Sequence, residues 1–356
     1  MAFNEAKYKK VYIGDKSGKA KLLYAPTGVY RANATPLSIA RSDLAATTVG
    51  NYALFGGGMH DGGHRVYYDT VDVYDTSLTR TTATSLSAKK YGLAATTIGD
   101  YALFGGGFDD RDFFDTVDAY NASLTRTTST ALSVARTDLA ATTVGNYALF
   151  GGGSGRGYRD TVDAYDASLT RTTPTVLARP RFNLAATTIG DLACFCGGYS
   201  KNGEADTIDR YDASLTRSNA LILTQPRSNL AAAAVGYCLL FAGGHYANSD
   251  IGQSDTVDVY NAGTNTRTTA TNLSEGRISL AAATVGNYAL FGGGRGKSNL
   301  VYAVDAYDSS LTRTAATDLS KGRFNLKATT VGNYALFGGG ESHDGCTDTV
   351  DAYFVI

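Results

Sequence analysis

The sequence contains no tryptophan, and proline, cysteine and histidine are scarce, with 5 Pro, 4 Cys and 4 His among 356 residues. Four cysteines in a chain of this length do not form the disulfide framework of a small secreted domain. The longest apolar runs, such as 52–55, are far too short to cross a bilayer, and no secretory signal opens the sequence. We therefore expect a protein that is made in the cytoplasm and does not insert into a membrane.

Charge is also sparse. Asp, Glu, Lys and Arg make up 18% of the residues, against an average of about 25%, and the net charge is −1. A nucleic-acid-binding protein needs a positive field to neutralise phosphates, so this composition argues against that class. Glycine is abundant at 41 residues, and its excess over proline indicates many tight turns and not disorder.

Many of the glycines belong to an internal repeat. Tyr-Ala-Leu-Phe-Gly-Gly-Gly, or a close variant, recurs seven times, with its Phe at Phe55, Phe104, Phe150, Phe195, Phe241, Phe291 and Phe337. Each copy is followed by Asp-Thr-Val-Asp-Ala-Tyr or a variant, ending at Tyr74, Tyr120, Tyr165, Tyr211, Tyr260, Tyr307 and Tyr353. Because no helical periodicity interrupts these strings, the pattern indicates an all-β protein.

Each repeat contains four short β runs, which in the first repeat are strand A (44–49), strand B (52–57), strand C (70–74) and strand D (81–86). The Gly-Asn pair between A and B is typical of a two-residue hairpin turn. Strand A consists of small residues, as expected where the innermost strands converge on an axis. Four antiparallel strands in each of seven repeats predict a seven-bladed β-propeller.

The two ends of the chain predict how the ring closes. The last repeat ends at 353–356, just after strand C, whereas 31–38 aligns without gaps on 80–87 at the end of the first repeat. We therefore expect residues 29–37 to supply the outer strand of the seventh blade, since an unclosed ring would expose unpaired strand edges. The expected organisation is a propeller over 28–356 preceded by a basic attachment segment over 1–27.

The repeat resembles the kelch repeat over about residues 29–353. The resemblance rests on Phe-Gly-Gly at the end of strand B, on Val-Asp-x-Tyr in strand C, and on a basic residue before strand A, namely Arg41, Lys90, Arg136, Arg181, Arg227, Arg277 and Arg323. Kelch repeats usually carry Trp at the start of strand D, where this chain has Thr81 and its equivalents. Because kelch propellers include enzymes, scaffolds and binding modules, the resemblance implies a fold and not a function.

The repeats differ from one another mainly on one side. The A–B and C–D turns are nearly identical in all copies, and we call the side that bears them the constant face. The B–C and D–A links should lie on the opposite side, the variable face. The B–C links cover 59–68, 108–114, 154–159, 199–205, 245–254, 295–303 and 341–347, and the variable D–A position is Ser42, Tyr91, Thr137, Phe182, Ser228, Ile278 or Phe324.

Two explanations of this asymmetry compete. Surface loops vary when nothing constrains them, although the equally exposed turns of the constant face have not varied. Alternatively, the variable face binds a ligand with the aromatic, Arg and Asp side chains that dominate recognition surfaces, a mixture that also suits sugars. We favour binding and predict that these residues form the site: His60, Asp61, His64, Arg65, Tyr67, Tyr68, Tyr91, Phe108, Asp109, Asp110, Arg111, Phe113, Arg156, Tyr158, Phe182, Tyr199, His245, Tyr246, Arg295, Phe324 and His343.

Other motifs do not indicate chemistry. His60, His64 and His343 should lie on neighbouring blades and, with Asp61 or Asp344, are weak candidates for a divalent-metal site, but no ligand spacing recurs, so we predict none. The Asp69–Asp72 pair recurs in the same context in six of the seven repeats, which favours a scaffolding role. The Gly-Lys-Ser string at 296–298 lacks the glycine and the helix of a phosphate-binding loop. We predict no catalytic residue and no cofactor.

The first 25 residues carry six Lys against Glu5 and Asp15, a balance of +4, and 10–24 has the pattern of a small β-hairpin. The segment resembles short Tyr-Ile-Gly…Gly-Lys-Ala segments at the N-termini of tail-associated proteins of bacteriophages of Gram-positive hosts. The resemblance implies a protein on the virion surface, docked on a tail or baseplate structure through 1–27 and contacting a bacterial surface glycan or protein. An intracellular kelch scaffold that binds a protein partner, and a carbohydrate-active or oxidising propeller enzyme, remain as alternatives.

Overall fold

The seven repeats form the blades of a closed ring. The computed structural model describes residues 11–14, 20–24, 28–219, 222–247 and 252–356, and all regular secondary structure in these ranges is β. Seven four-stranded antiparallel sheets follow one another, and the innermost strand of each sheet contacts that of the next, the seventh contacting the first. The prediction of an all-β, seven-bladed propeller is confirmed. No helix in the described ranges is long and apolar enough to cross a membrane.

The strands have nearly the same bounds in every blade. Strands A are Ala45–Val49, Ala94–Ile98, Ala140–Val144, Ala185–Ile189, Ala231–Val235, Ala281–Val285 and Lys327–Val331. Strands B are Tyr52–Gly56, Tyr101–Gly105, Tyr147–Gly151, Leu192–Cys196, Cys238–Ala242, Tyr288–Gly292 and Tyr334–Gly338. Strands C are Val71–Tyr74, Val117–Asn121, Val162–Tyr165, Ile208–Asp212, Val257–Asn261, Val304–Asp308 and Val350–Val355.

The outer strands D are shorter than predicted. They are Arg80–Thr82, Arg126–Thr128, Arg171–Thr172, Arg217–Asn219, Thr266–Thr269 and Arg313–Ala315. In the first blade the predicted strand, 81–86, stops after Thr82, because the chain must turn there to reach the next blade. Leu86 is then buried beside Leu93 and Phe104 of the second blade, and its amide is held by the carbonyl oxygen of Asp69 at 2.8 Å. The perimeter therefore exposes only short strand edges.

The outer strand of the seventh blade comes from the other end of the chain. Val29–Asn33 pairs antiparallel with Val350–Val355, with Val29 opposite Val355 and Asn33 opposite Asp351. The predicted closing strand, 29–37, is thus correct in place and too long by four residues. Leu37 is buried in the same way as Leu86, and its amide donates to the carbonyl oxygen of Asp348 at 2.7 Å.

Aromatic side chains fill the space between blades. Phe104, in strand B of the second blade, lies against Gly56 of the first, where an added Cβ would approach its ring to 2.8 Å. Glycine at this position therefore permits the close approach of neighbouring sheets. Phe55 also packs edge-on against Tyr74 at 5.8 Å between ring centroids, and the Tyr74 hydroxyl donates to the carbonyl oxygen of Thr35 at 2.8 Å. Equivalent Tyr contacts occur in five of the other six blades, whereas in blade 5 the Tyr260 hydroxyl donates to Asn265 Oδ1 at 2.6 Å.

A buried ion pair lies in every blade. The Arg41 guanidinium and the Asp72 carboxylate are 2.8 Å apart and completely inaccessible to solvent. Asp72 also pairs with Arg80 of strand D at 3.0 Å, and Arg41 donates to the carbonyl oxygen of Phe55 at 3.0 Å. The second Asp of the repeated string is therefore part of the scaffold, as the recurrence of the Asp pair predicts, and so is the basic residue before strand A.

Small side chains surround the axis, as expected from strand A. Threonines of neighbouring blades join there, for example Thr143, whose hydroxyl donates to the carbonyl oxygen of Thr97 at 2.7 Å. Blade 5 has Ala233 and Ala234 at these positions and therefore lacks the hydroxyl groups. Its contact comes from blade 6, where the Thr284 hydroxyl donates to the carbonyl oxygen of Ala234 at 2.7 Å. Threonine hydroxyls thus link neighbouring blades around the axis, through bonds to backbone carbonyl oxygens and to one another.

Candidate binding face

The B–C links stand on the variable face as short hairpins and bridged turns. In the first blade Met59–Asp61 pairs with Arg65–Tyr67, and shorter two-residue ladders form within the links of blades 3, 4 and 7. The links of blades 2, 5 and 6 each contain a single bridge. Part of the blade 5 link, 248–251, lies outside the described residues. The B–C links, which differ in sequence from blade to blade, are therefore held at their base by backbone hydrogen bonds.

The two variable positions of each blade are direct neighbours. The variable D–A residue forms an antiparallel bridge with the first residue of the B–C link in all seven blades: Ser42–Met59, Tyr91–Phe108, Thr137–Ser154, Phe182–Tyr199, Ser228–His245, Ile278–Arg295 and Phe324–Glu341. In the second blade both hydrogen bonds of the bridge are made, at 3.0 and 2.9 Å. Sequence comparison identified both positions as variable but did not reveal that they are paired.

Four predicted site residues form what we call the blade 1–2 aromatic cluster, namely Tyr67, Tyr91, Phe108 and Phe113. Tyr67 stacks on Tyr91 with 5.6 Å between ring centroids, Tyr91 meets Phe108 edge-on at 6.0 Å, and Phe108 stacks on Phe113 at 4.5 Å. All four side chains are half-buried. A hairpin of one blade and two links of the next thus supply one continuous aromatic surface.

Charged groups border this cluster. The Asp110 carboxylate accepts hydrogen bonds from the Tyr67 hydroxyl and, at 3.1 Å, from the Arg65 guanidinium. Arg65 also lies 3.6 Å from the Asp61 carboxylate within its own hairpin. Burial and the hydrogen bond to Asp110 raise the pKa of Tyr67 to about 12, so its hydroxyl stays protonated at neutral pH. Asp109 shapes the neighbouring turn by accepting from the amide of Arg111 at 3.1 Å.

A second group, the blade 3–4 aromatic cluster, contains Tyr158, Phe182 and Tyr199. The three rings contact one another pairwise, with centroid distances of 5.0, 5.7 and 6.3 Å. Tyr158 and Tyr199 are each 37% exposed, more than any ring of the blade 1–2 cluster. Arg156 is exposed at the tip of the hairpin that carries Tyr158. As in the blade 1–2 cluster, the D–A residue contacts rings from the B–C links of two neighbouring blades, since Phe182 lies against Tyr158 of blade 3 and Tyr199 of blade 4.

The remaining predicted residues are dispersed around the ring. Arg295 lies over the Phe324 ring at 5.9 Å, and the His245 ring nitrogen Nδ1 is 2.7 Å from a Glu204 carboxylate oxygen. Tyr68 and Tyr246 are half-buried beside their links. His60 belongs to the blade 1 hairpin, with His64 exposed in its turn, and His343 is exposed in the blade 7 link. In the described part of the chain, no three His, Cys, Asp or Glu residues come together as a metal site.

Sequence analysis missed a ring of residues at the axis. The residue after each variable D–A position donates its amide hydrogen to the carbonyl oxygen of the same residue in the preceding blade, at 2.8 to 3.2 Å, and the seven bonds form a closed circle. Its members are Asp43, Gly92, Asp138, Asn183, Asn229, Ser279 and Asn325. All have φ between 51° and 65°, a region that Asp, Asn and Gly tolerate best. That restricted choice of residues was the available clue.

The seven residues of this ring, together with leucines that follow them in the chain, line an axial cavity of about 340 Å³ on the variable face. Its side chains include the carboxylates of Asp43 and Asp138 and the ammonium group of Lys327, which replaces a small residue of strand A. Burial, and then the nearby Asp43, raise the pKa of Asp138 to about 6, while Lys327 opposes the shift. The cavity is therefore polar and contains both signs of charge.

Comparisons with known proteins agree with this architecture. No family model matches the sequence, and no curated protein matches it. A solved structure described as "Structure of YjhT" aligns with a TM-score of 0.56 over 89% of this chain and 96% of that chain. The two sequences are 12% identical. The likeness therefore concerns the fold alone.

Proposed function

We propose that the protein is a non-catalytic recognition module whose variable face binds a surface carbohydrate. The observation that carries this proposal is the blade 1–2 aromatic cluster, a continuous surface bordered by hydrogen-bonding groups such as Asp110. Sugar rings present apolar faces to aromatic side chains and hydroxyl edges to carboxylates and guanidinium groups. Aromatic and Arg side chains are also those that contribute most to recognition surfaces in general.

The backbone beneath the cluster supports a binding role. Tyr91 and Phe108 are paired by two main-chain hydrogen bonds, and Tyr67 stacks on Tyr91 from the neighbouring blade. Side chains fixed in this way lose little conformational entropy when a ligand binds, which favours affinity. The repeated scaffold holds such pairs at seven places on one face.

We further propose that residues 1–27 attach a kelch-type propeller to a phage tail or baseplate, so that the variable face meets the bacterial surface. The support is the sequence resemblance of the basic N-terminal segment. Val11–Gly14 pairs with Ala20–Tyr24, in agreement with the hairpin predicted there. Residues 1–10, 15–19 and 25–27 lie outside the described residues. On this proposal the protein is located on the virion surface.

Binding of labelled protein to intact bacterial cells and to isolated wall glycans tests the proposal. The double variant Tyr91→Ala/Phe108→Ala should bind at least about tenfold more weakly, as expected when a central aromatic contact is removed. Tyr237→Ala is the matched control, because Tyr237 is 77% exposed and lies in the A–B turn of blade 5 on the constant face. Melting curves of both variants show whether the fold is retained.

Three outcomes would contradict the proposal. Undiminished binding by the folded Tyr91→Ala/Phe108→Ala variant would show that this cluster is not the contact. Binding to cells that is abolished by protease treatment, with no binding to purified glycan, would show that the ligand is a protein. Release of reducing sugar from the glycan by the wild-type protein would show that the module is catalytic.

A further inference from the structure

The basic side chains of the variable face are unevenly paired. Arg65 has two carboxylate partners, Asp61 and Asp110. Arg156 and Arg179, by contrast, have no ion pair with any residue in the described ranges, and both are exposed. The same holds for Lys201 in the B–C link of blade 4. Arg156, Arg179 and Lys201 thus form a group of unpaired cations at the boundary between blades 3 and 4. Elsewhere on the described part of this face, four other exposed cations also lie outside any ion pair: Lys89, Arg111, Arg295 and Lys297.

The composition of the links shows the same contrast. Around the blade 3–4 cluster, the segments 154–159, 178–182 and 199–205 contain Arg156, Arg159, Arg179 and Lys201 against one acid, Glu204, besides the buried Arg181. Glu204 is already bonded to His245. Around the blade 1–2 cluster, the corresponding segments contain Arg65, Lys89 and Arg111 against Asp61, Asp109, Asp110 and Asp112, besides the buried Lys90. One aromatic cluster is therefore set in a basic environment and the other in an acidic one.

The basic groups border a cavity next to the aromatic rings. A depression of about 360 Å³ is lined by Tyr158, Arg179, Pro180, Ser200, Lys201 and Asn202. Tyr158 belongs both to this lining and to the blade 3–4 aromatic cluster. The cavity thus combines an exposed aromatic ring with two cations that no described carboxylate neutralises.

We propose that this cavity binds an anionic sugar unit of a polysaccharide, with the sugar against Tyr158 and its acidic group between Arg179 and Lys201. A guanidinium group binds carboxylate and phosphate oxygens through paired hydrogen bonds, and an ammonium group adds a further positive charge. The anionic group is either a carboxylate of a uronic acid or a phosphate of a phosphodiester-linked chain. This inference rests on the proposed carbohydrate-binding function and specifies the ligand class for one part of the same face.

The test compares three probes of matched length: a uronic-acid oligosaccharide, a glycerol-phosphate oligomer and a neutral oligosaccharide. Wild-type protein should bind one or both anionic probes at least about tenfold more tightly than the neutral probe, and more weakly as salt rises from 50 to 500 mM. Which anionic probe binds identifies the acidic group. Arg179→Gln/Lys201→Gln should lose at least about tenfold in affinity for that probe. Arg267→Gln, which removes another exposed arginine on outer strand D of blade 5, should bind like the wild type.

The inference and the proposed function can fail separately. If Arg179→Gln/Lys201→Gln binds the anionic probes as tightly as the wild type, or if the wild type prefers the neutral probe, the anionic assignment is wrong while carbohydrate binding stands. If the wild type binds no glycan at all, the proposed function is wrong and the inference falls with it. Both side chains are exposed, so their substitution should leave the melting temperature unchanged.

Discussion

The backbone amide of Asp43 donates a hydrogen bond to the carbonyl oxygen of Asn325 at 3.2 Å, and this contact joins the first blade to the seventh. It is one of seven equivalent main-chain hydrogen bonds, which together form a closed circle around the axis. The ring is closed a second time at its perimeter, where Val29–Asn33 pairs with Val350–Val355. Inner and outer closures thus hold together the same two blades.

The outer closure predicts the effect of truncation. A chain that begins at Ile39 lacks Val29–Asn33 and the buried Leu37, and should melt on the order of 10 °C lower than a chain that begins at Gly28. Burial of Val29 and Leu37 alone contributes about 1.5–3 kcal/mol each, and strand pairing adds to this. Thermal melting by circular dichroism provides the comparison. Equal melting temperatures would show that the axial ring suffices for closure.

The buried ion pairs predict a difference between two substitutions of one arginine. Arg136 lies 2.8 Å from Asp163, and neither is exposed to solvent. Arg136→Leu leaves the Asp163 carboxylate buried without this partner and should cost about 3–5 kcal/mol of unfolding free energy. Arg136→Lys should cost less, because blade 2 naturally has Lys90 at this position, 3.4 Å from Asp118.

Denaturant unfolding of both Arg136 variants measures these costs. The Lys variant has a further partner in reach, since Lys90 donates to the Thr116 hydroxyl at 2.9 Å and blade 3 has Thr161 at the equivalent position. If Arg136→Leu were as stable as the wild type, packing and not the ion pair would determine stability at this position.

Asp138 predicts a pH-dependent change in stability. Its pKa is raised to about 6 in the folded protein, against 3.8 when unperturbed, so the folded state holds this proton more tightly. The resulting stabilisation is complete below pH 3.8 and is lost as the pH rises through 6. Asp138→Asn cannot ionise, and blades 4, 5 and 7 carry Asn at the same position with the same positive φ. The free energy of unfolding of the variant should therefore exceed that of the wild type by up to about 3 kcal/mol at pH 7.5 and match it at pH 3.5.

Denaturant unfolding at the two pH values checks this prediction. Asn183→Asp is the reciprocal control, since it introduces a carboxylate into the same ring and should destabilise the protein at pH 7.5 but not at pH 3.5. A stability difference between Asp138→Asn and the wild type that is independent of pH would mean that titration of Asp138 is not its cause.

The four thiols predict a simple pattern of alkylation. Cys194, Cys196 and Cys238 are buried, and burial raises the pKa of each thiol, that of Cys194 to about 12. Because the thiolate is the reactive form, these three should resist iodoacetamide in the folded protein. Cys346 is partly exposed and should be modified first. Mass spectrometry before and after denaturation counts the labelled residues, and early modification of Cys194 would contradict the burial described here.

Repetition made the fold predictable. Seven copies of one pattern determine strand number, order and orientation, and the gap-free match of 31–38 to 80–87 located the closing strand. The length of strand D was wrong because the sequence does not mark where the chain leaves the sheet. That point is set by Leu86, whose side chain packs into the next blade.

The candidate site was less accessible to sequence analysis. Tyr91 and Phe108 were both predicted to lie on the variable face, but their pairing depends on how the end of strand B meets the start of strand A. The axial ring was missed because Asp43, Asn229 and Ser279 look like ordinary turn residues. Only the assembled blades bring them together around one cavity.

The two-residue turn between strands A and B has a consequence for folding. Near-identical strands could pair with the wrong repeat, yet Val49 and Tyr52 meet after the shortest possible loop, so the entropy of loop closure favours the correct neighbour each time. The perimeter pairing is the opposite case, since Arg31 and Asp351 are 320 residues apart. Val29–Asn33 is synthesised before the other strands of the ring, and its partner Val350–Val355 is synthesised after them. Ring closure is therefore expected to be the slow, post-translational step in the maturation of this protein.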